Sequence, residues 1–129
     1  MKILLFAFIA IIVVLADRMT KRNAVKKGHR IVYNKGAFIG LLKKRKKLLS
    51  FFQIISIGIL IFLFFYYDFF LFQIGLCFIL GGSIGNSYEH IIKGAVTDFI
   101  RIGKLYVNLA DICIFSGLLI IIIFMLVSI

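Results

Sequence analysis

Residues 48–84, LLSFFQIISIGILIFLFFYYDFFLFQIGLCFILGGSI, decide the fold of this chain. They carry a single charge, Asp68, and their length is about twice the roughly 20 residues that one helix needs to cross a bilayer. The stretch therefore predicts two crossings. The break falls at Tyr66, Tyr67 and Asp68, because aromatic rings with polar tips settle at the membrane interface and a lone carboxylate in hydrocarbon is costly.

Working outward, the whole chain follows the same pattern. With 129 residues, 63% of them hydrophobic, and no proline, at a mean hydropathy of +1.12, it is too apolar for a soluble domain of its size. ILLFAFIAIIVVLA (residues 3–16) precedes the central stretch, and LADICIFSGLLIIIIFMLVSI (residues 109–129) follows it with no charge after Asp111. The first segment is short enough to suit a cleaved signal peptide, but a helix extended through Asp17 and Thr20 spans, and polar sequence follows it directly. Four crossings are expected, at about 2–20, 45–67, 69–86 and 108–129, in one domain covering residues 1–129. Cys77 and Cys113 lie inside apolar helices without C-x-x-C spacing, which makes them small buried hydrophobes and not metal or disulfide partners.

The charge is uneven. Of 16 Lys and Arg residues, 12 lie between Arg18 and Lys47, ending in KKRKK at residues 43–47. The positive-inside rule places such a loop in the cytoplasm. A basic segment beside a membrane attracts anionic headgroups, by on the order of 1 kcal/mol per cation. Nucleic-acid binding is a poor alternative, since the loop is tethered between crossings and has few aromatics beyond Tyr33 and Phe38. Within it, GHRIVYNKGAFIG (residues 28–40) alternates weakly between glycines, and two short strands are expected there.

The acidic and amide side chains cluster. With four crossings, Asp17, Asn34, Asn86, Glu89, Asp98, Asn108 and Asp111 share one side of the membrane, and only Asp68 lies opposite. Burying an unpaired carboxylate costs several kcal/mol, so ionisable groups at membrane depth point to function. Two carboxylates brought together share a proton, and one then serves as base on a water while the other donates to a carbonyl. That is aspartic-protease chemistry. The bland reading is helix capping, since Asn108 with Asp111 and Asn86 with Glu89 both have capping spacing. Asp98, in AVTDFI, has no such explanation.

The ordered set DRMTK (17–21), NKGAFIG (34–40), GGSIGNSYEH (81–90), GAVTDFI (94–100) and VNLAD (107–111) resembles bacterial lipoprotein signal peptidase, signal peptidase II. That family's pattern runs roughly D-x-x-T-K, N-x-G-A-A-F, G-G-x-x-G-N-x-x-D-R, G-x-V-x-D-F and F-N-x-A-D. The resemblance covers nearly the whole chain in order. It implies a four-transmembrane-helix bundle, an all-α membrane protein with a small extracytoplasmic β-like subdomain in the first connection. It also implies an aspartic endopeptidase with Asp98 and Asp111 as the catalytic pair. Asp17, Lys21, Asn34, Gly85, Asn86, Glu89, His90 and Asn108 are the supporting or substrate-binding set. No metal or other cofactor is expected. The implied substrate is a prolipoprotein, cut ahead of a Cys already carrying diacylglycerol, at the outer face of the bacterial cytoplasmic membrane. The chain is expected to act as a monomer.

This chain departs from the pattern at several points. Glu89-His90 stands where the family has Asp-Arg, keeping an acid but replacing a planar, always-charged donor. Val107 replaces an aromatic before Asn108, and the connection from Asp98 to Asp111 is short for the family. These features motivate a second reading, a catalytically inactive relative that binds lipidated segments or other membrane partners. The family topology also puts the basic loop outside, against the positive-inside bias, and the motifs spread over four segments outweigh that bias.

Overall fold

The computed structural model describes residues 2–35 and 45–129. Four helices run in order: α1 (Lys2–Lys26), α2 (Lys46–Tyr66), α3 (Phe70–Lys93) and α4 (Leu109–Ser128). Each is long and apolar enough to cross a membrane. Strand β1 (Val32–Asn34) lies in the first connection, and β2 (Val96–Asp98), β3 (Ile100–Ile102) and β4 (Leu105–Val107) lie in the last.

The expected break after Tyr66 is present. Tyr67 leaves the helix in an extended conformation, and its N–H still donates to the Leu63 carbonyl at 3.0 Å. Asp68, in this turn, lies 3.6 Å from Lys2 Nζ, which puts the start of α1 and the α2–α3 turn at the same end of the bundle. Both side chains are exposed, so the pair marks geometry and adds little stability. At this end Phe6 packs edge-on against Phe64, with ring centroids 5.2 Å apart.

Helix α3 is the centre of the bundle, with half of its most apolar window buried, against 11% for α2 and α4. Its glycines explain this. A Cβ built at Gly75 would lie 2.8 Å from the Gly117 carbonyl oxygen, one at Gly82 would lie 2.6 Å from that of Ala110, and one at Gly81 would lie 2.9 Å from that of Ala10. Helices in lipid gain little from the hydrophobic effect and associate by such close backbone contact. Outside these seams the large apolar side chains, such as Phe115, Ile123 and Phe62, face outward.

Two helix boundaries differ from expectation. The first helix continues to Lys26, beyond residue 20, because Ala24 stays buried and nothing after Thr20 breaks the helix. The third continues to Lys93, beyond residue 86, and stops at Gly94, whose φ of 73° is the left-handed conformation that glycine adopts without strain. The β-like part is also differently built. One strand is described within residues 28–40, and the rest of the expected second strand there lies outside the described residues. The partner of β1 is instead β2, antiparallel, with Val32 opposite Asp98 and Asn34 opposite Val96. The small sheet thus joins both long connections and is not confined to the first. A second hairpin, β3 with β4, turns through Gly103 at φ 60°.

Candidate active site

The end of the bundle opposite Asp68 gathers polar groups from α1, α3, the start of α4 and strands β1 and β2. Asp17 and Lys21 stand one turn apart on α1, both buried. Lys21 Nζ reaches Asp17 Oδ2 at 2.6 Å and Glu89 Oε2 of α3 at 2.9 Å, and donates to Asn86 Oδ1 at 3.1 Å. An ammonium has three donors, so this one is fully used. Gly85 makes room for the arrangement, since a Cβ there would lie 3.3 Å from Asp17 Oδ2.

The other oxygen of Asp17 crosses to α4. Its Oδ1 accepts the backbone N–H of Ala110 at 2.9 Å. The first turn of a helix has N–H groups without internal partners and carries partial positive charge, and a carboxylate satisfies both. Asp17 is 1% exposed, so this contact forms away from competing water.

Asn108 joins the two aspartates. It caps α4 in a complete capping box: its Oδ1 accepts the Asp111 N–H at 3.0 Å, and its own N–H donates to Asp111 Oδ2 at 3.1 Å. Its remaining group, Nδ2, donates to Asp98 Oδ1 at 2.7 Å. The capping explanation and the paired-aspartate explanation are therefore the same contacts seen from two sides. For Asn86 and Glu89 capping fails, because α3 begins at Phe70 and both lie well inside it.

Asn86 fixes the other side of Asp111. Its Nδ2 donates to Asp111 Oδ1 at 2.8 Å while its Oδ1 faces Lys21. Asp111 thus has one oxygen held by Asn86 and the other by the Asn108 N–H. Asp98 sits on β2, 3% exposed, and also receives a hydrogen bond from Asn34. In the β1–β2 register Asn34 is two residues along from Val32, the partner of Asp98, so the two side chains share a face as diagonal neighbours. Burial pushes the Asp98 carboxyl up to about 6, with the negative charge of Asp111 adding to the rise and the hydrogen bonds of Asn108 and Asn34 opposing it.

Glu89 anchors the strand that carries Asp98. Its Oε1 accepts the Thr97 hydroxyl at 2.6 Å and its Oε2 accepts the Thr97 N–H at 3.2 Å. Thr97 was not among the candidates from sequence, and neither was the Ala110 backbone. Thr97 adjoins Asp98, but nothing in its local pattern shows that Glu89, eight residues earlier, turns back to hold it.

The structure brings Asp17, Lys21, Asn34, Asn86, Glu89, Asp98, Asn108 and Asp111 into this continuous set of contacts, with Gly85 beside it. His90 is not among them. It is 3% exposed, and neither ring nitrogen has a hydrogen-bond partner among the described residues. It lines a separate cavity with Lys46, Lys47 and Gly94.

Comparison with known proteins follows the same lines. The sequence profile of the family described as Signal peptidase (SPase) II matches residues 9–127. Proteins named lipoprotein signal peptidase are similar in Caldicellulosiruptor bescii, at 36% identity over 89 residues, 68% of this chain and 59% of the relative. Another, from Wigglesworthia glossinidia brevipalpis, is 38% identical over 103 residues, 70% of this chain and 65% of the relative. A third, from Clostridium novyi, is 32% identical over 135 residues, 88% of this chain and 91% of the relative. The matches to the first two span under two thirds of those relatives' length. Two solved structures described as bacterial membrane enzymes superpose with TM-scores of 0.83. They are 25% and 24% identical, and the superpositions cover 94% of this chain with 87% and 92% of theirs.

Proposed function

The chain belongs to the signal peptidase II family, and from that premise we propose that it is a lipoprotein signal peptidase, an aspartic endopeptidase working through Asp98 and Asp111. The observation that carries the reading is the position of Asn108, whose side-chain amide donates to Asp98 and whose backbone N–H donates to Asp111, so that one residue bridges the two carboxyl groups. Two carboxyls so held, one of them buried and raised to about 6, suit one proton shared between them.

In this mechanism Asp98 holds the proton and Asp111 is ionised. A water gives a proton to Asp111 as its oxygen attacks the carbonyl carbon of the scissile peptide. Asp98 gives its proton to the carbonyl oxygen, so that a neutral diol forms instead of an oxyanion. As the C–N bond breaks, Asp111 gives its proton to the departing amine, which becomes the new amino terminus, and Asp98 takes back a proton from a diol hydroxyl, leaving a carboxylic acid and restoring the dyad. Asn86, Asn108 and Asn34 hold the carboxyls for this exchange. Lys21, Asp17 and Glu89 fix the ends of α1, α3 and α4 on which those amides depend.

The substrate in this reading is a prolipoprotein with a diacylglyceryl Cys on the leaving side. Its signal helix lies in the bilayer, which suits a dyad at the polar end of an apolar bundle. The enzyme acts as a monomer in the bacterial cytoplasmic membrane, with the dyad toward the extracytoplasmic face. The basic first connection then lies against anionic headgroups.

The test is processing in cells depleted of their own lipoprotein signal peptidase. Expression of this chain is expected to shorten a diacylglyceryl prolipoprotein, and Asp98→Asn or Asp111→Asn to abolish the shortening. Cleavage unchanged in both variants would remove the dyad assignment. No cleavage by the unaltered chain would favour an inactive relative.

A further inference from the structure

A cleft of about 410 Å³ opens between α1 and α3, on the outer side of the Lys21–Glu89 pair. Besides Lys21, which is engaged by Asp17, Glu89 and Asn86, three cations of α1 line it: Arg18, Arg22 and Lys26. Their spacing of four residues puts them on one helix face in successive turns. Arg18 lies over the ring of Tyr88, 5.1 Å from its centroid.

These three charges have no carboxylate to pair with. The sequence contains five acidic side chains. Asp17 is bound to Lys21, Glu89 to Lys21 and Lys93, and Asp68 to Lys2 at the far end of the bundle. Asp98 and Asp111 are engaged by Asn108. The cleft is lined by five cations, Lys21 and Lys93 included, against two acids, Asp17 and Glu89, which are already paired with those two lysines. The three remaining cations call for an anion from outside.

Position and shape narrow its chemistry. Arg18 comes two residues after the apolar run of residues 3–16, which places the cleft at the depth of the lipid headgroups. Val25 and Ile92 line the same cleft beside the cations. A ligand with a singly charged phosphodiester for the three cations and an apolar stem for Val25 and Ile92 matches both parts. A zwitterionic headgroup does not, because its own cation meets three more.

We propose that the cleft formed by Arg18, Arg22, Lys26 and Tyr88 is a binding site for the phosphate headgroup of an anionic glycerophospholipid. It deepens the headgroup contact proposed above for the basic segment from Arg18 to Lys47, by naming one cleft and one phosphate ligand for its first three cations. It rests on the membrane placement of the chain and not on catalysis.

The test is native mass spectrometry of the full chain in detergent with equimolar phosphatidylglycerol and phosphatidylcholine of the same acyl chains. The unaltered chain is expected to retain phosphatidylglycerol selectively, and so is Asp98→Asn, which separates this site from the peptidase reading. The triple variant Arg18→Gln, Arg22→Gln, Lys26→Gln is expected to lose that preference by about tenfold or more. Lys2→Gln, Arg101→Gln, Lys104→Gln, with the same loss of charge elsewhere, is expected to keep it. The charge-preserving Arg18→Lys, Arg22→Lys, Lys26→Arg is also expected to keep most of it, a result that misfolding of the first triple cannot imitate. Equal loss in both neutralised triples would overturn the proposal. So would displacement of the lipid by millimolar inorganic phosphate, which would make the site one for a free anion.

Discussion

Asp17 and Ala110, 93 residues apart in sequence, are joined by a buried hydrogen bond of 2.9 Å from the Ala110 N–H to the Asp17 carboxylate. This contact sets where the last helix begins relative to the first. Since α4 starts with Asn108 and Asp111, it also sets where the dyad stands. A carboxylate in the first helix is thus a positioning group for a pair that it does not touch.

The two oxygens of Asp17 can be tested apart. Asp17→Ala removes the Ala110 acceptor and one of the two carboxylates on buried Lys21, and breaking a buried ion pair from one side costs about 3 kcal/mol or more. Asp17→Asn keeps an oxygen for Ala110 and leaves Lys21 with Glu89. Unfolding in detergent is expected to show roughly half the loss for the amide. Equal losses would mean that the Ala110 contact contributes nothing.

Asn108 separates capping from dyad geometry. Asn108→Ala loses both, with about 1 kcal/mol lost from the cap alone. Asn108→Ser keeps a good N-cap but has no amide to donate to Asp98. A smaller stability loss than in Asn108→Ala with peptidase activity reduced on the order of a hundredfold is the expected result for Asn108→Ser. Full activity in that variant would show that the bond to Asp98 is dispensable.

The seam between α3 and α4 makes a packing prediction. A Cβ at Gly117 would meet the Gly75 carbonyl oxygen at 2.5 Å, backbone against backbone, with no flexible atom to yield. Gly117→Val is expected to cost about 3 kcal/mol or more and to lower activity by shifting α4. At Gly58 of α2 nothing lies within 4 Å of such a Cβ. Gly58→Leu is expected to be neutral, and thermal unfolding of the two variants in the same detergent compares them.

The parts of this molecule that were legible in its sequence are those written in local composition. Four crossings follow from runs of apolar residues, and the turn at Asp68 from one charge among them. The polar end was legible because few acids and amides occur at all, so that their placement on one side stands out. What composition could not show is non-local pairing. Strand β1 pairs with β2 across two helices, and three residues of alternation carry almost no signal. The longer α1 and α3 escaped because Arg22, Lys26 and Lys93 read as loop by hydropathy, yet they extend helices beyond the apolar layer into the headgroup region. Thr97 was missed for a related reason: its role comes from the return of the chain onto Glu89.

The raised carboxyl of Asp98 gives the last prediction, which couples stability to activity. In an unfolded chain this group loses its proton near 3.8, and in the fold near 6. Between those values the folded state holds more proton than the unfolded one, so stability falls as pH rises through this window and levels off above it. The difference corresponds to at most about 3 kcal/mol at neutral pH. Asp98→Asn removes the charge while an amide oxygen can still accept from Asn108. The variant is therefore expected to be more stable than the parent above pH 6 and to lose that advantage toward pH 4, while being inactive throughout. In the parent, kcat/KM is expected to fall as pH rises through about 6, because Asp98 then loses the proton that it donates to the substrate carbonyl. Unfolding and cleavage measured over the same pH series test both halves. A stability difference between parent and Asp98→Asn that does not change with pH would show that this carboxyl is not the raised, proton-holding member of the pair.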